Sequence, residues 1–144
     1  MIYLPFAFPY KKERLPNGTE VFRPTIPIEM NYKGVSMKFV AIVDSGSDVS
    51  YIPQWAAESL GIVIKGKESN VTTVNGKMKV IEDFVKITIR HEKDIESFTI
   101  PVDIPVEKEH TDEIILGRKG LFDRFDITFK ENSRRIILTK SMRG

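Results

Sequence analysis

Apolar side chains recur at every second position through much of this chain, and that period commits it to β-structure. Phe98, Ile100, Val102, Ile104 and Val106 alternate with Thr99, Pro101, Asp103 and Pro105. Val85, Ile87 and Ile89 alternate with Lys86, Thr88 and Arg90, and Val35, Met37, Phe39 and Ala41 repeat the pattern. Successive side chains of a strand point to opposite faces, so this spacing predicts half-buried strands. From Phe39 to Val43 every residue is apolar, which predicts a strand covered on both faces. Residues 21–32 read as extended, with Pro24 and Pro27 marking an edge or irregular pairing, and Ile136, Ile137 and Leu138 read as a last strand. Two segments read as helix. Residues 53–60 open on Pro53 and stop at Gly61, and residues 118–125 place Leu121, Phe122 and Phe125 at helical spacing. Asn17-Gly18, Lys33-Gly34, Lys65-Gly66 and Asn75-Gly76 mark turns between strands.

The length of 144 residues fits a single domain, able to bury about 70% of its extended surface without staples. Lys plus Arg number 22 against 20 acidic residues, a net charge of +2 that argues against nucleic acid as a partner. With no cysteine, disulfides, thiolate catalysis and cysteine-based metal sites are excluded. A two-histidine metal centre would need both His91 and His110, whose flanks do not resemble one. The apolar runs are too short and too interrupted to span a bilayer, so no membrane contact is expected. Residues 1–10 are apolar but lack a basic leading segment, carry Pro5 and Pro9, and run into Lys11-Lys12 without a small-residue cleavage site. They read as an extended arm packed on the core or at an interface, and the expected location is the cytoplasm.

The chemistry concentrates in Val43-Asp44-Ser45-Gly46-Ser47-Asp48, where a buried strand ends in an acidic residue and a tight turn. A carboxylate at such a strand end is costly unless hydrogen bonds or a shared proton compensate. Gly46 lets the chain turn and brings its N–H close to the carboxylate, while Ser45 and Ser47 add hydroxyls. A Ser47 hydroxyl aimed at Asp44 would favour the charged form. The expected consequence is an activity optimum on the acidic side of neutral that moves upward in Ser47→Ala.

Asp44-Ser45-Gly46-Ser47 after an aliphatic run resembles the D-[ST]-G-[SA] loop of aspartic proteases. Ile114-Ile115-Leu116-Gly117-Arg118 resembles the aliphatic-Gly-Arg segment of the retroviral type, the retropepsins. Val74-Asn75-Gly76-Lys77 joins two strand-like runs where that family carries its hairpin flap. The resemblance implies a mainly-β, closed barrel-like acid-protease lobe with one or two short helices. It covers residues 21–129, within a single domain that has an N-terminal arm at 1–20 and a closing hairpin strand at 130–144. It implies Asp44 as the catalytic residue, with Ser45, Gly46 and Ser47 as the active-site loop. Asp48 and Arg118 correspond to an ion pair bracing that loop, and Val74, Asn75, Gly76 and Lys77 to the flap. Val74, Val80 and Ile81 are expected to line apolar side-chain pockets.

Aspartic-protease chemistry needs two carboxylates near one water, and the chain has one D-[ST]-G motif. The resemblance therefore implies a homodimer acting on a peptide or protein in extended conformation, with no cofactor or metal. The alternative is a catalytically silent fold of the same type used for binding or dimerisation. Residues 125–138 depart from the retroviral pattern and read as a hairpin like that closing a pepsin-type lobe.

Overall fold

A computed structural model of the chain describes residues 4–66, 68–73, 76–107 and 112–141. Strand β1 is Phe6–Pro9, β2 Lys11–Arg14, β3 Glu20–Arg23, β4 Thr25–Tyr32, β5 Val35–Val43 and β6 Ser50–Tyr51. Helix α1 spans Gln54–Ser59, and β7 (Glu68–Thr73), β8 (Gly76–His91) and β9 (Asp94–Pro105) follow it. The chain then runs through β10 (Ile114–Leu116), β11 (Phe125–Lys130) and β12 (Arg135–Lys140). The alternating apolar stretches thus fall inside the longest strands.

Six strands close on themselves in the order β4-β5-β10-β6-β9-β8, because β4 also pairs with β8 through Met30 and Ile87. The dominant hairpin is β8 against β9, in continuous register from Val80↔Pro105 to His91↔Asp94. Its inward set, Val85, Ile87, Ile89, Phe98, Ile100, Val102 and Ile104, joins Ile26, Met30, Ala41 and Leu116 in one core. A separate three-stranded sheet, β1-β12-β11, caps it. There the arm pairs with its own chain, Phe6↔Leu138 to Pro9↔Arg135, and buries Phe6 and Phe8. Their rings flank His91, Phe6 stacked at 5.6 Å and Phe8 edge-on at 5.5 Å. Burial of two phenylalanines contributes roughly 3–6 kcal/mol, enough to fix so short a strand. Pro24 separates β3 from β4, whose own Pro27 sits opposite Val40.

Two expectations are corrected. The run Phe39–Val43 is not covered on both faces: Phe39, Ala41 and Val43 are buried, but Val40 is 49% exposed. A barrel wall has one core face, so alternation persists beneath a continuously apolar sequence. The second helix is not regular. Residues 118–122 form one irregular turn in which Lys119 is extended (ψ 116°) and Gly120 takes φ 104°, and Phe125 already begins β11. Gly120 is needed twice over, since a Cβ there would also meet Ile100 Cγ2 at 2.5 Å. The turn is closed by the Gly120 N–H donating to Asp123 Oδ2 at 2.9 Å. Helical spacing of Leu121, Phe122 and Phe125 reflects a tight turn entering a strand.

Candidate active site

Asp44 stands directly after β5, where parallel pairing with β10 ends at Leu116↔Val43. Its N–H donates to the Leu116 carbonyl at 2.9 Å, carrying the ladder one residue past the strand. The chain then turns: the Ser47 N–H donates to the Asp44 carbonyl at 3.3 Å, and the Gly46 N–H to Asp44 Oδ1 at 2.9 Å. A Cβ on Gly46 would lie 3.3 Å from that same oxygen, so glycine allows the close approach. Asp44 is half-buried and Ser45 and Gly46 are exposed, which leaves the carboxylate open on one side.

The loop is clamped from behind by β10 and the turn that follows it. Arg118 N–H donates to the Ser47 carbonyl at 2.9 Å and Lys119 N–H to the Asp48 carbonyl at 3.0 Å. Gly117 N–H donates to the buried Ser50 hydroxyl at 3.0 Å. Gly117 lies so near the loop that a Cβ would fall 2.1 Å from the Val49 carbonyl oxygen. Its φ of −96° suits any residue, so space alone demands glycine here. Ser50 and these backbone bonds are the parts of the clamp that motif reading passes over, while Gly117 enters it only as a member of the aliphatic-Gly-Arg segment. The signal was the small residue beside Arg118 and the hydroxyl that opens β6.

Arg118 does pair with Asp48, and its second guanidinium nitrogen reaches the Ser45 carbonyl at 3.4 Å. The two side chains are 54% and 83% exposed, so the pair itself contributes at most about 1 kcal/mol. The two backbone bonds and the buried Gly117–Ser50 bond hold the loop more firmly than the exposed ion pair does. Ser47 overturns the expectation attached to it. Its hydroxyl donates to the Val49 carbonyl at 2.7 Å, away from Asp44, because a half-buried loop carbonyl two residues on is the better-placed acceptor. The donor to Asp44 is the Gly46 amide.

The β7–β8 hairpin is present, with Thr73 opposite Gly76 and Thr72 opposite Lys77. Val74 and Asn75 lie outside the described residues. Val80 and Ile81 are buried in the protomer, 1% and 7% exposed, and so are not free pocket walls. Trp55 projects from α1, packs edge-on to Phe39 at 5.7 Å and donates from Nε1 to the Asp112 carbonyl at 2.9 Å. Gln54 Nε2 donates to the Pro105 and Val106 carbonyls at 3.1 and 2.6 Å, tying α1 to the end of β9. Asp123 and Asp126 are exposed and stand apart from the loop, Asp123 serving its own turn.

A buried acid that the alternation hid lies beside the site. Asp103 in β9 is 6% exposed, in register with Tyr51 and Glu82. Burial raises its carboxyl pKa, Glu82 raises it further, and Lys119 draws it down. Burial likewise raises the Tyr51 phenol, with Asp103 and Asp48 adding to the effect. Among the described residues no group of three or more His, Asp or Glu side chains is placed to hold a metal ion. No helix among them is long and apolar enough to cross a membrane.

Comparison with known proteins agrees with this construction. A retropepsin-like aspartic protease from Rickettsia conorii has a similar solved structure, with a TM-score of 0.59 and 21% identity. The similarity covers 95% of this chain and 100% of that one, and shows a shared fold. A search of curated protein sequences returns no match. The aspartyl protease family matches residues 27–119, from β4 through the barrel and the Asp44 loop to the Gly117-Arg118 clamp. The chain belongs to the aspartyl protease family.

Proposed function

We propose that the chain is an aspartic endopeptidase whose active form is a two-fold homodimer, each copy supplying Asp44. The observation that carries this reading is the Gly46 N–H held 2.9 Å from Asp44 Oδ1, inside a loop clamped from β10. A single amide donor orients the carboxylate and leaves its other oxygen to meet a water and a second carboxylate. Two carboxyl groups close enough to hold one water share one proton, because both cannot ionise together. The ionised member takes a proton from water as the water oxygen attacks the peptide carbonyl, and the protonated member donates to that carbonyl oxygen. Collapse of the tetrahedral intermediate breaks the C–N bond, with a proton passing to the leaving amine. The products are a carboxyl group and an amine.

In this reading Ser45, exposed at the loop's apex, faces the partner copy, and the β7–β8 hairpin, with Gly76 and Lys77, is the flap that closes over substrate. An extended peptide suits a cleft walled by strands, since its main chain can pair with their edges. The test is digestion of an unstructured protein by the wild type and Asp44→Asn, with sedimentation at the assay concentration. Cutting by the wild type alone, in a dimer, is the expected result; cutting by both or by neither refutes the reading.

A further inference from the structure

The barrel closes along a short seam. β4 pairs with β8 from Asn31↔Lys86 to Glu29↔Thr88, and the next outward-facing pair in that register would set Pro27 against Arg90. Proline has no N–H to give a ladder, and the pairing stops before it. A groove of about 420 Å³ lies at this opening. It is lined by Pro27 and Glu29 of β4, Lys38 and Val40 of β5, and Thr88 and Arg90 of β8. The residues that alternate with these six, Ile28, Met30, Phe39, Ala41, Ile87 and Ile89, are buried in the core, so the groove is on the outer face. The register sets Val40 beside Pro27, and Glu29 between Lys38 and Thr88.

Glu29 stands between two cations and serves one of them. Arg90 Nε donates to its Oε2 at 3.4 Å, a long contact between exposed and half-buried side chains. Among the described residues the terminal nitrogens of Arg90 make no hydrogen bond, and the Lys38 ammonium makes no ion pair or hydrogen bond. The Thr88 hydroxyl is engaged with that of Ser97 at 2.8 Å. Lys38 and Arg90 occupy opposite corners of a three-strand patch, about 12 Å apart at the backbone by sheet spacings. Their long side chains reach far enough for both heads to meet one small anion over Pro27 and Val40. The groove thus combines an apolar floor with one net positive charge. Its complement is a monoanion with a compact apolar body, because the second charge of a dianion would face Glu29. A peptide strand fits less well, since Pro27 withholds the backbone donor that strand addition uses.

We propose that this groove binds an apolar monocarboxylate. The carboxylate lies between the Lys38 ammonium and the free fork of Arg90, and the aliphatic or aryl body rests on Pro27 and Val40. Val40 precedes Asp44 along β5 by about 13 Å of extended chain. The site is therefore separate from the Asp44 loop, and it stands or falls independently of the protease reading.

The experiment titrates the isotope-labelled full chain with 4-phenylbutyrate and, separately, with 4-phenylbutanol, which keeps the apolar body and lacks the charge. Backbone amide resonances report where each binds and how tightly. Saturating shifts are expected for residues 28–29, 38–40 and 88–90. The alcohol is expected to bind about 10- to 100-fold more weakly than the acid, the scale of charge-assisted hydrogen bonds. Lys38→Gln should weaken the acid by about 10-fold while leaving the alcohol unchanged, and Lys38→Arg should restore it. Arg90→Gln should weaken the acid at least as much, because it also frees Glu29 to repel the ligand. The comparison of acid with alcohol on the wild type needs no variant to fold. Equal affinity for acid and alcohol overturns the proposal. So does an acid affinity unchanged in both glutamine variants, or saturating shifts that map elsewhere or are absent. None of these outcomes bears on peptide cleavage, which is tested separately through Asp44→Asn.

Discussion

Replacing Gly117 by alanine adds one methyl group at the tightest contact around the Asp44 loop. The new Cβ would sit 2.1 Å from the Val49 carbonyl oxygen and 2.7 Å from that of Ser47. Relief requires the two backbone segments to part by roughly 1 Å, an overpacking strain of about 1–3 kcal/mol. The parting also lengthens the buried bond from Gly117 N–H to the Ser50 hydroxyl, now 3.0 Å, at a further cost of about 1–3 kcal/mol. The sum, about 4 kcal/mol, is a large share of a typical domain's net stability. At roughly 2–4 °C per kcal/mol for a domain of this size, Tm should fall by roughly 8–16 °C. Below Tm, a shift of about 1 Å at the loop should lower peptide cleavage by about 100-fold. Gly34→Ala is the control, since Gly34 has open space around it but φ 89°, and conformational strain alone costs about 1–2 kcal/mol. Unfolding followed through the lone Trp55 reads both variants. A Gly117→Ala protein no less stable than Gly34→Ala would refute the argument that proximity, rather than conformation, fixes this residue.

Asp44→Asn should abolish peptide cleavage, by about 1,000-fold or more, with Tm nearly unchanged because the side chain receives only the local Gly46 bond; a Tm loss as large as that of Gly117→Ala would instead make Asp44 a structural residue. Ser47→Ala should lower stability by about 1 kcal/mol through its bond to the Val49 carbonyl and leave the pH–rate profile in place, so a shifted optimum would restore the hydroxyl to Asp44. Arg118→Gln should change stability by less than about 1 kcal/mol in denaturant titration, as expected for an exposed pair. Asp103 has its folded-state pKa raised, first by burial and then by Glu82, so the folded protein holds that proton more tightly than the unfolded chain. Its contribution is lost as pH rises from the ordinary carboxylate range through the raised value. Asp103→Asn should therefore gain stability at neutral pH, and the gain should vanish in acid; a gain constant with pH would contradict the assignment.

Much of this architecture is legible in period-two spacing, because a barrel wall imposes one buried face on every strand. Hence Val85 to Ile89 and Phe98 to Ile104 translate directly into the β8–β9 hairpin. The same rule, applied to a continuous apolar run, misjudged Val40, since apolar composition does not tell which face is covered. Spacing of Leu121 and Phe122 mimicked a helix because it ignores the backbone, where Gly120 and the extended Lys119 forbid one. In the site, local chemistry was readable and long-range partnership was not. The Gly46 amide lies two residues from its acceptor, whereas Gly117 meets Val49 only after β10 has crossed the barrel. Asp103 looked like an ordinary polar-face residue in its alternation. The pairing of β9 with β6 and β8 sets Tyr51 and Glu82 beside it, and alternation alone does not reveal that the position is covered.

The arm's pairing with β12 has a further consequence. β1 finds its partner in β12 of the same chain, so the β1-β12-β11 sheet forms within one protomer. In the proposed homodimer, integrity and catalysis then separate on dilution. Thinning the protein should leave its circular dichroism and melting behaviour constant while turnover per chain declines with concentration, as mated loops part and intact, idle protomers accumulate.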